Sequence, residues 1–141
     1  MATDFKHLFQ PIKIGTMELK NRLVMPAMGT RYSQFGGWVS DQLIDYLSER
    51  AKGGVGLVTV EMAAVTFSGR ISNYSPGIYD DRLIPGLEKL ATAVKRAGAK
   101  IAIQLAHGGA GSGSSVTGVQ PVAPSPIARF KGETPRELSL K

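Results

Sequence analysis

Hydrophobic positions along this chain change period several times, and each change predicts an element. Two alternating runs, Ile12–Ile14 and Met17–Leu19, flank Gly15-Thr16 and predict a β-hairpin. Asn21 leads into a short buried strand, Arg22–Met25, which Pro26 stops. The loop Pro26–Val39 is long for a compact domain, and its aromatics argue that it is ordered. Ser40 is placed to cap a helix whose first turn holds Asp41; Leu43, Leu47 and Ala51 line one face of it, and Gly53-Gly54 ends it. Val55–Val65 is rich in β-branched residues and predicts a second buried strand. A second loop, Thr66–Asp81, contains Arg70, Asn73 and Tyr74. Asp80 or Asp81 then caps another helix, with Pro85 in its first turn, Leu87, Leu90, Ala91 and Val94 as its buried stripe, and Gly98 as its stop.

The stretch Lys100–Gly109 organises the rest, reading as a buried third strand that ends in a cluster of polar and glycine residues. Ile101, Ile103 and Leu105 share one face; Ala102, Gln104 and Ala106 share the other. Both faces are largely apolar, the pattern of a parallel strand covered on both sides. Gln104 is the exception. Its amide needs partners, so it is either a core group bonded to neighbouring backbone or a ligand sensor aimed from the carboxyl end of the sheet. Alternation of strands and helices implies a parallel sheet with right-handed crossovers.

After Ala106 the pattern breaks. Gly108–Gly118 is rich in glycine and serine, and Pro121, Pro124, Pro126 and Pro135 punctuate the remainder of the chain. The glycine run lacks G-K-[ST], and from Gly111 and Gly113 the third glycine of a dinucleotide fingerprint would fall on Val116. It reads instead as a flexible loop over a site mouth, and Pro135–Leu138 as the approach to another helix. Three strands and two helices do not close a sheet, since a barrel needs eight strands. The chain therefore reads as the first part of something larger.

Composition narrows the chemistry. The 141 residues carry a formal charge of +6, but Lys and Arg are scattered and no dense basic run marks a nucleic-acid surface. With no cysteine, disulfides, thiolate nucleophiles and iron–sulfur ligation are excluded within this segment. His7 and His107 show no metal spacing, and no metal site is expected. No apolar run approaches the roughly 18 residues of a membrane span and no signal peptide is visible, so a cytoplasmic protein is expected. Glu61, near the end of the second strand, must be paired or protonated if buried; an end-of-strand carboxylate reaching solvent or a backbone partner satisfies that demand. His107 reads as a structural residue at the end of its strand.

Several stretches coincide, in order, with one family. LFQPIKIGTMELKNRLVMPAM, AKGGVGLVTVEMAAV, DDRLIPGLEKLATAVKRAGAKIAIQLAHGG, PVAPSPI and TPRELS together resemble the N-terminal part of old yellow enzyme-type flavin reductases, in their 2-enoate and 2,4-dienoyl-CoA reductase-like branch. The resemblance implies the N-terminal portion of a (β/α)8 barrel, incomplete in this chain, with the hairpin plugging its bottom and FMN at the carboxyl ends of the strands. By position, Pro26, Ala27, Met28 and Gly29 would lie beside the flavin through main-chain groups, Met62 would offer its backbone to the pyrimidine edge, and Gln104 would hydrogen-bond that edge. An amide can donate to a ring carbonyl and accept from a ring N–H, and a donor there tunes the cofactor. Arg31 and Tyr32, just beyond, are candidates for the substrate side, or else a solvated residue and a packed aromatic.

The chain departs from the family in two places. A glycine, Gly29, stands where some relatives carry a redox-tuning Cys or Thr, and His107-Gly108-Gly109-Ala110 replaces the common H-x-G-R. The family's catalytic residues are expected beyond residue 141. The implied function is reduction of an activated C=C bond in an enoate or enoyl-CoA, driven by NAD(P)H through FMN. FAD and a 4Fe-4S cluster would belong to a longer parent chain, the remaining barrel chain is the first partner, and a homo-oligomer is implied. An FMN-barrel amine dehydrogenase or demethylase is the alternative chemistry, and a small α/β binding module the non-enzyme alternative.

Overall fold

The structure is a computed structural model that describes residues 5–129 and 132–139. The expected hairpin forms from β1 (Ile12–Ile14) and β2 (Met17–Leu19), paired antiparallel with Ile12 opposite Leu19. Then come β3 (Val24–Met25), α1 (Asp41–Lys52), β4 (Leu57–Ala64), α2 (Ile84–Arg96) and β5 (Lys100–Ala106). Strands β3, β4 and β5 make one parallel sheet in that order. Two strands are shorter than their apolar runs. At the flanks of Val55–Val65 single bonds continue toward the neighbouring strands, with the Gly56 N–H donating to the Leu23 carbonyl and that of Val65 to the Ala106 carbonyl.

The helices cover one face of the sheet. Leu43, Ile44, Leu47 and Ala51 of α1 and Leu90 and Val94 of α2 close over Val58 and Val60, with Ile101 and Ile103 packed at the margin. Ser40 caps α1 as expected, its hydroxyl accepting from the Leu43 N–H at 3.0 Å. The start of α2 is different. Asp80 caps a 3-10 turn, Asp81–Leu83, which runs directly into α2, and α2 itself has no side-chain cap. Proline near its first position removes one of the N–H groups that would need a partner.

Asn21 ties the hairpin to the sheet. It is buried; its amide donates to the Gly54 carbonyl at 2.8 Å and accepts from the Leu23 N–H at 3.1 Å.

The expectations for the last third need correction. Strand β5 is parallel but not covered on both faces: Leu105 is 63% exposed and Gln104 is exposed, because β5 is an edge strand of this sheet. The glycine-rich stretch is folded into a 3-10 turn, Gly109–Gly111, and a short helix, α3 (Ser114–Thr117). The Gly108 N–H donates to the Gly69 carbonyl at 2.8 Å, and buried Arg70 donates to the Val116 carbonyl at 2.9 Å. These bonds stitch the loops after β4 and β5 together. Pro135–Leu138 is extended and paired rather than irregular. It contains β7 (Arg136–Glu137), parallel to β6 (Val122–Ala123), with the N–H groups of Arg136 and Leu138 donating to the carbonyls of Pro121 and Ala123. A long-range pairing has overridden a weak local preference.

The turn before α2 offers a pH test. Asp80 chelates the Arg82 guanidinium, with Nε at 2.9 Å from Oδ1, and also accepts from the Arg82 N–H. The side-chain hydrogen bond, followed by the backbone one, lowers the Asp80 pKa to about 2. A depressed carboxylate pKa contributes stability that is present above the unfolded value of 3.8 and lost as pH falls through about 2. In a carboxyl-carbon NMR titration of the folded protein, Asp80 is expected to titrate at about 2, and Arg82→Ala to move it back toward 3.8. Coincident titration curves for the two proteins would refute the pairing.

Candidate functional site

The site begins with an irregularity in β4. Val60 lies opposite Ile103 and Ala63 opposite Leu105, so Glu61 and Met62 together oppose the single residue Gln104. This is a β-bulge, which locally re-aims side chains and recurs beside active sites. Alternation along β5 puts Gln104 on the face away from the helices, since Ile101 and Ile103 pack into the helix-side core. Its side-chain amide is exposed and makes no hydrogen bond among the described residues. The reading of Gln104 as a satisfied core amide is therefore set aside.

Glu61 does not reach solvent. It is 3% exposed, and its Oε1 accepts from the Thr30 N–H at 3.0 Å and from the Thr30 hydroxyl through a short bond. Its Oε2 is buried without a hydrogen-bond partner among the described residues. Thr30 is the first link in a chain of bonds. Its hydroxyl accepts from the Tyr32 N–H at 3.2 Å; the Tyr32 carbonyl accepts from the Ser40 hydroxyl; and Ser40 caps α1. The path of the loop after β3 is thus pinned at one end to the bulge and at the other to the helix.

The structure brings together some of the residues singled out from sequence and separates others. Met28 and Gly29 immediately precede the Glu61 anchor; both are exposed, as is Met62 at the bulge. A Cβ on Gly29 would meet only Glu61 Oε2, at 3.9 Å, and its φ is not left-handed, so the protein itself does not demand a glycine there. Pro26 is exposed and Ala27 half-buried on the same segment. Tyr32 goes elsewhere: its ring packs edge-on against Tyr46 of α1, centroids 5.4 Å apart, and joins the helix-side core. Arg31 is exposed, and its φ of 59° is the one left-handed non-glycine backbone among the described residues. His107 acts as a backbone cap, its Nδ1 accepting from the Gly109 N–H at 3.0 Å.

Sequence reading missed the pairing of Glu61 with Thr30. The signal was a carboxylate in an apolar strand facing a Thr in the preceding loop, but neither the bulge nor the partner can be deduced from spacing. A groove of about 620 Å3 lies beside the site, walled by Phe35, Trp38, Val65, Phe67 and Tyr79, and none of the candidate residues lines it. Its charged pair, Asp80 and Arg82, is already self-satisfied. Among the described residues no group of His, Asp or Glu is placed to hold a metal, and no helix is long and apolar enough to cross a membrane.

Parallel βα units with helices on one face and a hairpin before the first strand are the arrangement of the opening part of a (β/α)8 barrel. The chain belongs to the NADH:flavin oxidoreductase / NADH oxidase family, whose model matches residues 7–139. It is 42% identical over 141 residues to an NADH oxidase of Thermoanaerobacter brockii, covering 98% of this chain and 22% of that protein. The structure of an old yellow enzyme homologue from Zymomonas mobilis superimposes with a TM-score of 0.85 at 30% identity, over 94% of this chain and 40% of that one. A 2-naphthoyl-CoA reductase bound to 2-naphthoyl-CoA superimposes with a TM-score of 0.88 at 30% identity, over 95% of this chain and 23% of that one. The chain thus spans between about a fifth and two fifths of these relatives. The family is one of FMN flavoproteins.

The residues present fit such a group. An amide with donor and acceptor, unbonded among the described residues, lies opposite a bulge, and the Thr30 end of the loop after β3 is bonded to that bulge's buried carboxylate. A planar ring with alternating carbonyl and N–H groups along one edge is the complement of that amide.

Proposed function

We propose that this chain forms the FMN-binding portion of an NAD(P)H-dependent reductase acting on activated C=C bonds, in enoates or their CoA thioesters. The observation that carries the reading is Gln104: a polar side chain within the apolar run from Ile101 to Ala106, left without a partner among the described residues, opposite the two-residue bulge of Glu61 and Met62. When bound, FMN supplies two-electron chemistry between a nicotinamide and an electron-poor alkene. The chain's own residues hold it. Gln104 would donate to and accept from the pyrimidine edge, Met62 would offer backbone groups to it, and Pro26, Ala27, Met28 and Gly29 would lie beside the ring through their main chain. The similarity to a CoA-thioester reductase supports the substrate class. Tyr32 is assigned to packing, because its ring is engaged by Tyr46.

The test is Gln104→Leu in the full-length protein. Side-chain volumes are similar and the position is exposed, so the melting temperature should stay close to that of wild type. Flavin affinity should fall about tenfold, the value of one or two lost hydrogen bonds at about 1 kcal/mol each. The reduction potential should also fall, because a donor at that edge favours the reduced anionic ring. Wild-type affinity and potential in Gln104→Leu would defeat the assignment.

A further inference from the structure

Arg31 is held in a backbone conformation that an L side chain rarely adopts, with φ at 59°. Both of its neighbours are locked. Thr30 is bonded through its N–H and its hydroxyl to Glu61; Tyr32 is held by its N–H on Thr30, its carbonyl on Ser40 and its ring on Tyr46. The peptide between two such anchors has little freedom, so the strain at Arg31 is imposed by its surroundings. Glycine would adopt this conformation without that cost. Yet the chain places an arginine here, exposed, with no ion pair or hydrogen bond among the described residues. It lies one residue from Thr30, which is bonded to the bulge that opposes Gln104. Among the described residues no ion pair or hydrogen bond of the Arg31 side chain accounts for that strained backbone.

We propose that Arg31 is a specificity-determining residue that binds a carboxylate carried by the substrate. This rests on the reading of the site as a flavin-dependent C=C reductase. A guanidinium matches a carboxylate through two parallel N–H···O bonds, and it does so best when its backbone is already fixed. The bond chain from Glu61 to Ser40 provides that fixing. Selection is then for enoates bearing a free acid over neutral enones of the same size.

The experiment compares wild type, Arg31→Gly and Arg31→Lys in the full-length holoenzyme. Steady-state kinetics are run with cinnamate and with the neutral cinnamaldehyde, and calorimetry measures binding of benzoate and of benzamide. Arg31→Gly should melt no lower than wild type, because strain is relieved. It should raise KM for cinnamate and Kd for benzoate by about tenfold or more, with both neutral ligands changed by less than about twofold. Arg31→Lys should recover part of the carboxylate affinity, since it restores charge without the bidentate fork. Turnover of both substrates with cinnamate KM and benzoate Kd unchanged in Arg31→Gly would overturn the role of Arg31 and leave the reductase reading standing. Absence of turnover of either substrate by the wild-type holoenzyme would overturn both.

Discussion

Gly56→Ala is expected to destabilise the full-length protein by about 3–4 kcal/mol, at the upper end for overpacking plus lost hydrogen bonds. A Cβ at this position would sit 2.7 Å from the Asn21 carbonyl oxygen and 2.8 Å from Asn21 Oδ1. Neither atom can move away cheaply. The first is backbone, and the second accepts from the Leu23 N–H while the same amide donates to the Gly54 carbonyl. Gly56 also bonds both neighbouring strands, donating to the Leu23 carbonyl and accepting from the Lys100 N–H, each at 2.9 Å. Displacing it therefore disturbs the alignment of β3, β4 and β5 together, and with it the strand ends that carry the site. The comparison is Gly29→Ala, where the added Cβ meets a single atom at ordinary contact distance. Thermal denaturation should show a drop of several degrees for Gly56→Ala and almost none for Gly29→Ala. Equal melting temperatures for Gly56→Ala and wild type would show that the Asn21 clamp yields.

The second large effect concerns Glu61. Replacing a buried charge by an apolar group of similar volume is often neutral, because the cost of burying the charge disappears with it. Here the balance differs, since the groups Glu61 satisfies stay behind. In Glu61→Leu the Thr30 N–H and hydroxyl lose their acceptor in a half-buried place, at about 1–3 kcal/mol for each unsatisfied group. Loss of the partnerless Oε2 offsets part of that. A net destabilisation of about 2–4 kcal/mol is expected. Flavin content should fall more steeply than stability, because the Met28–Thr30 segment loses its anchor to the bulge. Glu61→Gln keeps an oxygen for Thr30 and should lose about 1 kcal/mol. The two variants are separated by thermal melts and by the flavin-to-protein absorbance ratio of purified protein. Wild-type flavin content in Glu61→Leu would mean that the segment holds its place without the carboxylate.

Much of the scaffold was legible because its signals are local. The hairpin needs only two alternating triplets around Gly15-Thr16. The first helix carries its own start at Ser40 and its own stop at Gly53-Gly54, and the alternating residues 101–106 lie within the strand Lys100–Ala106. The last third was misread for the complementary reason. Arg136 and Glu137 have no strong preference for a strand, and they become one only because Val122 and Ala123 lie alongside. The glycine-rich stretch looked flexible, since nothing within it shows that Arg70 and Gly69 hold it from another loop.

The candidate site divides along the same line. The amino-acid sequence by itself determined that Gln104 is the one polar residue in the apolar run from Ile101 to Ala106, that Pro26 ends the first strand just before Met28-Gly29, and that a carboxylate stands in the second strand. Those are facts of pattern, and periodicity carries them. Only the tertiary structure decided that Glu61 and Met62 share one partner across the sheet, that Glu61 turns to Thr30, that Tyr32 belongs to the helix side and that Arg31 is forced to a positive φ. A bulge exists only relative to the strand it opposes, and a strained residue only relative to the anchors on either side of it. Both depend on contacts between segments far apart in the chain, as between Thr30 and Glu61, and no window of local sequence contains them.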